Sequence, residues 1–260
     1  MARVLDYVRA AKLDLELRTS WHGRLRRGDG SVRMVQDLVR PGDVALDIGA
    51  SWGHYTSAMA RLVGDAGSVH AFEPNPANAR QLTLIALRHL NVTVHPVGLS
   101  DAPGEAELHV PVRRGRPITE RGSLGPIDVE TKTVRIELKR LDDVVDPELP
   151  VAFLKCDVEG HERDVFEGGA RLLERWRPPI LVEIERRHAR SDVLGTTALL
   201  ESMGYDAYMV SGEELIHASQ FDPEVHQPVV GVAGSSETLP AGYVGDFLFL
   251  PPGRTPGSRA

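Results

Sequence analysis

The 260-residue sequence has little of what marks a secreted, membrane-spanning or nucleic-acid-binding chain. It holds one cysteine, Cys156, so no intramolecular disulfide can form, and a cytoplasmic setting is expected. Cys156 ends the apolar run from Val151 and reads as a small buried hydrophobe. The first residues, MARVLDYVRAAKLDLELR, lack the apolar core and small-residue cleavage site of a secretory signal. No stretch approaches the roughly 18 apolar residues of a membrane span. Basic residues are not in excess: the formal net charge is −7, a field that repels nucleic acid. No internal repeat is visible. With 42% hydrophobic and 26% charged residues, the composition is that of a folded globular chain.

What is present is an alternation of short apolar runs with helical patterns. Seven runs read as strands: 44–50 (VALDIGA), 68–73, 92–99, 151–158, 180–184, 205–210 and 244–250. Helical periodicity covers 55–63, 76–90 and 196–203, and more loosely the first residues. Short apolar strands separated by helices predict an α/β fold: a doubly wound, mostly parallel seven-stranded sheet with helices on both faces. Residues 101–143 break this rhythm. Two alternating runs, 105–112 and 133–141, flank a polar Gly/Pro-rich stretch, which predicts a β-ribbon insertion. It reads either as a solvated surface loop or as a lid over a substrate. The expected organisation is a helical N-terminal segment (1–40), a main domain (41–250) with the insertion at about 103–141, and a flexible tail (251–260). The N-terminal segment is a candidate lid or homodimer contact.

In such sheets ligands bind beyond the carboxyl ends of the strands. The first strand ends in Asp47-Ile48-Gly49-Ala50-Ser51-Trp52-Gly53. Glycine allows the sharp strand-to-helix turn and close backbone approach to a ligand. The N–H groups opening the next helix can hold a carboxylate. Asp47 can accept from an ammonium group. Together they suit the zwitterionic methionine end of S-adenosylmethionine. A dinucleotide fingerprint would need glycine at 49, 51 and 54, where this chain has Gly49, Ser51 and His54. A nicotinamide-dependent dehydrogenase is therefore the weaker alternative, beside a non-catalytic cofactor-binding module. The Walker pattern is absent as well. The second strand ends in Glu73-Pro74, placing a carboxylate about 20 residues past the glycine corner, suited to ribose hydroxyls. Ser100 and Asp101 follow the third strand, within reach of an adenine.

These pieces resemble the FkbM family of methyltransferases. The resemblance rests on 47–56 (DIGASWGHYT), 72–76 (FEPNP), Gly98-Leu99-Ser100-Asp101, Leu141-Asp142, 154–162 (LKCDVEGHE) and 179–183 (PILVE). The family usually has Asn at the place of Ser51 and Ala at that of Gly98. The resemblance implies a Rossmann-like methyltransferase fold and S-adenosylmethionine-dependent O-methylation of a sugar or natural-product hydroxyl. It implies cofactor contacts from Asp47, Gly49, Ala50, Ser51, Gly53, Tyr55, Thr56, Glu73, Pro74, Ser100, Asp101 and Asp157.

The fourth strand runs into Asp157-Val158-Glu159-Gly160-His161-Glu162. Transfer to a hydroxyl gains from a base within hydrogen-bond reach. His161 is the first candidate, because imidazole titrates near neutrality, although a structural hydrogen bond at a helix start is the plainer reading. Asp157 and Glu183 are the other catalytic candidates. Glu162, in a first helical turn, reads as structural. Asp157, Glu159 and Glu183 offer oxygen ligands for a divalent cation, but carboxylates beside a sulfonium need no metal, so a metal is not favoured. His188 reads as solvent-facing.

Overall fold

The computed structural model describes residues 2–113, 116–118, 122–124, 130–188, 191–228 and 240–254. In chain order, α1 (Ala2–Arg26) and α2 (Gly30–Leu38) precede β1 (Val44–Ile48), α3 (His54–Val63), β2 (Ser68–Phe72), α4 (Pro76–Ala86) and β3 (Val92–His95). Then come β4 (Gly98–Leu99), β5 (Gly104–Arg113), β6 (Arg116–Pro117), β7 (Thr131–Lys139) and α5 (Leu141–Val144). The chain continues through β8 (Val151–Cys156), α6 (Glu162–Gly168), α7 (Ala170–Trp176), β9 (Ile180–Glu183) and α8 (Val193–Ser202). It closes with β10 (Asp206–Ser211), β11 (Glu214–His217), α9 (Pro223–His226) and β12 (Asp246–Leu250).

The main sheet has the order β11-β10-β12-β9-β8-β1-β2-β3. The five strands from β9 to β3 are parallel, while β12 runs antiparallel to both of its neighbours. The expected seven strands are thus eight. The addition is β11, a four-residue edge strand paired with β10 across a tight turn, too short to show a period in the sequence.

Alternation along the strands sends side chains to two cores. Val44, Leu46 and Ile48 of β1 pack with Leu154, Val182, Phe166 and Leu173 on one face. Ala45, Phe153, Leu181 and Leu248 pack with Val32, Met59 and Trp21 on the other. The second face is covered by α1, α2 and α3. Caps fix where the helices start: Asp29 accepts from the Val32 N–H at the head of α2, and Asn75 from the Ala77 N–H at the head of α4, with Pro76 in its first turn.

The expected third strand, 92–99, is two strands. Pro96 has no N–H to continue a ladder, so β3 stops at His95 and β4 joins a separate four-stranded sheet, β4-β7-β5-β6. That sheet is the predicted β-ribbon insertion, with β5 and β7 in a long antiparallel pair. Part of its connecting stretch, and residues 255–260 of the expected tail, lie outside the described residues. Among the described residues, no helix is long and apolar enough to cross a membrane.

Candidate active site

The strand order reverses between β1 and β8, and a cavity of about 280 Å³ opens at the carboxyl ends there. Its floor is the glycine corner. Gly49 has φ +75°, and a Cβ at this position would stand 1.8 Å from the Asp157 carbonyl oxygen. Only glycine lets β1 and the end of β8 approach so closely. The Gly49 and Ala50 N–H groups both donate to the Phe72 carbonyl at 3.0 Å. Gly53, with φ +81°, turns the chain into α3.

Glu73 locks onto this corner. Its carboxylate accepts the Ser51 N–H and the Asn75 N–H, each at 2.8 Å. Burial pushes its pKa up to about 7, against the opposing pull of these hydrogen bonds.

The cavity has an apolar and a charged end. Phe72, Val97 and Leu99 line the apolar end, joined by Leu108, Leu124 and Ile136 of the insertion. The insertion is therefore part of the cavity wall. Ser123 ties it down by donating its hydroxyl to the Glu159 carbonyl at 3.1 Å. Asp157, Glu159, Arg24 and Tyr55 stand toward the other end, with His161 on the wall beside Glu159.

Of the sequence-predicted residues, Gly49, Ala50, Ser51, Tyr55, Glu73, Pro74, Asp157, Glu159 and His161 line the cavity. Asp47, Gly53, Thr56, Ser100, Asp101 and Glu183 lie outside its lining. For Asp47 the reason is strand alternation, which turns it toward α3, where the Thr56 hydroxyl donates to its Oδ2 at 2.5 Å. Burial raises its pKa to about 6. Thr56 and Asp47 thus brace α3 against β1 from behind. Ser100 lies behind His161, its Oγ 3.0 Å from His161 Nε2 and donating to Asp101. His161 Nδ1 lies 2.6 Å from Asp164. Both ring nitrogens therefore face protein partners, and the buried imidazole bridges the end of β4 and the first turn of α6.

A buried charge cluster that no sequence signal marks lies beneath the charged end. Lys155, 1% exposed, is the penultimate residue of β8, with its Nζ 3.8 Å from Asp157 Oδ2 and donating to the Cys156 carbonyl at 3.1 Å. Burial disfavours its charge, but the carboxylates of Asp157, Asp246 and Glu183 hold the ammonium above its ordinary pKa. Asp246 of β12 pairs across the sheet with Glu183 of β9 and accepts the Ser31 hydroxyl at 2.5 Å. The charge of Asp157, then burial, raises Glu183 well above the carboxylate range. Arg24 of α1 donates to Asp29 at 2.7 Å and to the Tyr55 hydroxyl at 3.2 Å. It reaches the cavity from a helix distant in sequence.

His188 is not solvent-facing. Its side chain is 9% exposed and lies 2.9 Å from Glu159 and 3.2 Å from Glu185. Burial alone would lower its pKa, but hydrogen bonds to these two carboxylates push it up to about 10. Glu159 reaches it from a left-handed backbone position, φ +56°. Ligand atoms of Asp157, Glu159 and Glu183 do not gather within 4.8 Å as a set. Among the described residues the acidic group that does is Asp101, Asp164 and Glu167, on the surface beside α6.

A parallel sheet with a glycine corner, an acidic second-strand end and a cavity across its switch point defines a Rossmann-like methyltransferase. The chain belongs to the FkbM methyltransferase family: the model of the methyltransferase FkbM domain matches residues 43–207. This membership takes the place of the dehydrogenase alternative. Among solved structures, the chain is similar to the methyltransferase FkbM of Methylobacillus flagellatus KT, with TM-score 0.51 and 16% identity, over 94% of this chain and 60% of that one. The chain thus spans about 60% of that relative's length. It is also similar to Aeropyrum pernix fibrillarin in complex with S-adenosyl-L-methionine, with TM-score 0.46 and 15% identity over 82% and 67% of the two chains. A third is an S-adenosylmethionine-dependent O-methyltransferase of Thermotoga maritima, with TM-score 0.41 and 16% identity over 87% and 66%. A comparison with curated proteins gives no match.

Proposed function

We propose that this chain is an S-adenosylmethionine-dependent O-methyltransferase acting on a hydroxyl of a sugar or other small natural-product acceptor. The observation that carries the reading is the single cavity in which the Gly49 corner, Glu73 and Asp157 meet. The donor set suits the cofactor. Phe72, Val97 and Leu99 offer an apolar slot for a flat base, Glu73 retains acceptor capacity for ribose hydroxyls, and Asp157 is an anion for an ammonium or sulfonium. Glycine at 49 lets the corner close against the Asp157 backbone, where a Cβ would clash with the Asp157 carbonyl, and so keeps Asp157 beside the corner.

Bound S-adenosylmethionine supplies a methyl group made electrophilic by its sulfonium. The residues must bring the acceptor oxygen to about 3 Å in line with it and take its proton. Asp157 suits the second task better than His161. It lines the cavity, and burial raises its pKa to about 6, closer to working pH than an ordinary aspartate. His161, held by Ser100 and Asp164, positions the 157–162 turn. Glu159, paired with the His188 cation, keeps its carboxylate at the rim. Asp47 and Thr56 support the corner from below.

The test pairs calorimetric titration with S-adenosylhomocysteine and transfer of a labelled methyl group to matched hydroxyl and amine acceptors. Micromolar binding and label on hydroxyls alone are expected. A folded protein that binds no S-adenosylhomocysteine, or labels only amines, contradicts the proposal.

A further inference from the structure

We infer that Arg24, on a helix outside the matched family domain, is a cofactor-binding residue that holds the carboxylate of the cofactor's methionine end; this rests on the S-adenosylmethionine reading above. The argument is one of position and charge. The cavity runs along the strand ends in sheet order, with the apolar slot and Glu73 on the β2–β3 side and Asp157 on the β8 side. A nucleoside placed with its ribose at Glu73 must send its amino-acid end toward β8. That end is a zwitterion, and it requires an anion and a cation on one wall.

Asp157 is the anion. Three cations are near. The His188 imidazolium is committed to Glu159 and Glu185 and is absent from the cavity wall. Lys155 is 1% exposed, committed to Asp157 and the Cys156 carbonyl, and absent from the cavity wall. Arg24 is in that wall. Its Nε donates to Asp29 and one terminal nitrogen to the Tyr55 hydroxyl, which account for two of the five N–H donors of a guanidinium. Its side chain is 29% exposed, so the remaining edge is accessible. The guanidinium is held at a fixed place: its carbon lies 5.3 Å from the centre of the Tyr55 ring, which also has the Lys155 ammonium at 5.2 Å and Trp21 edge-on at 5.6 Å. Tyr55 sits in the first turn of α3, directly after the glycine corner. A planar fork fixed beside the corner that must receive a carboxylate is suited to bidentate recognition.

The experiment compares three ligands by titration calorimetry: S-adenosylhomocysteine, its decarboxylated analogue, which keeps the ammonium, and 5′-methylthioadenosine. The wild-type protein is expected to bind S-adenosylhomocysteine at least about tenfold tighter than the decarboxylated analogue. Arg24→Met should weaken S-adenosylhomocysteine by a similar factor and leave the other two within about twofold, and Arg24→Lys should recover part of the preference. Equal weakening of all three ligands by Arg24→Met would make Arg24 a structural residue and overturn the inference. So would a wild-type protein without preference for the carboxylate, a result that needs no variant to fold. Wild-type protein that binds none of the three overturns the functional reading itself, a distinct outcome.

Discussion

Ser51 donates its backbone N–H to the Glu73 carboxylate at 2.8 Å, which couples the glycine corner after β1 to the acidic end of β2. Removing Glu73 therefore both deletes the ribose acceptor and frees the corner. Glu73→Ala should weaken S-adenosylhomocysteine binding by about 1–3 kcal/mol. Glu73→Gln should lose nearly as much, because its NH₂ group must face one of the two backbone donors. Titration calorimetry on the folded variants checks both.

Burial raises the Glu73 pKa from 4.5 to about 7. A raised carboxyl pKa favours the folded state below the unfolded value and loses that advantage as pH rises through the folded one. Ligand-free wild-type protein should therefore lose stability relative to Glu73→Gln between about pH 4.5 and 7. Ribose hydroxyls, as donors, favour the charged form, so S-adenosylhomocysteine affinity should rise over the approach to pH 7 in the wild type and stay flatter in Glu73→Gln. Thermal melts and titrations across that window measure the two effects.

Asp157 and His161 separate on turnover. Asp157→Asn should lower kcat by about 10² to 10⁴. His161→Gln, which removes the link between Ser100 and Asp164, should cost about tenfold or less and leave the pH profile of kcat in place. A kcat for His161→Gln as low as that for Asp157→Asn would assign the base to His161.

Gly49→Ala sets a methyl group against the Asp157 carbonyl at a positive φ. It should destabilise the protein by about 1–3 kcal/mol or more and abolish cofactor binding, as read by urea denaturation and titration.

Burial disfavours the His188 cation, but hydrogen bonds to Glu159 and Glu185 push its pKa from 6.5 up to about 10. A raised histidine pKa gives stability that is complete below about 6.5 and is lost as pH rises through about 10. The wild type should lose its advantage over His188→Gln across that range in urea melts.

Much of this was legible in the sequence because it is local. The corner at Gly49, the Glu73-Pro74 end and the run through Asp157 each follow an apolar strand within a few residues, so their shared rim follows from sheet topology. What escaped depends on distant partners. Lys155 sits within an apolar run, and only β9 and β12 bring the carboxylates of Glu183 and Asp246 toward it. Arg24 lies twenty residues before the first strand, and only the packing of α1 beside α3 brings it to Tyr55. His188 looks like part of a charged surface turn until the left-handed backbone at Glu159 turns that carboxylate toward it. Pro96 was a visible signal for ending β3, outweighed by the apolar residues on either side.

The most direct test of the central claim is a crystal structure of the protein with S-adenosylhomocysteine. The account predicts base against Phe72 and Leu99, ribose hydroxyls on Glu73 and the homocysteine end between Asp157 and Arg24. A ligand seated elsewhere, with Glu73 bonded only to Ser51 and Asn75, would contradict it.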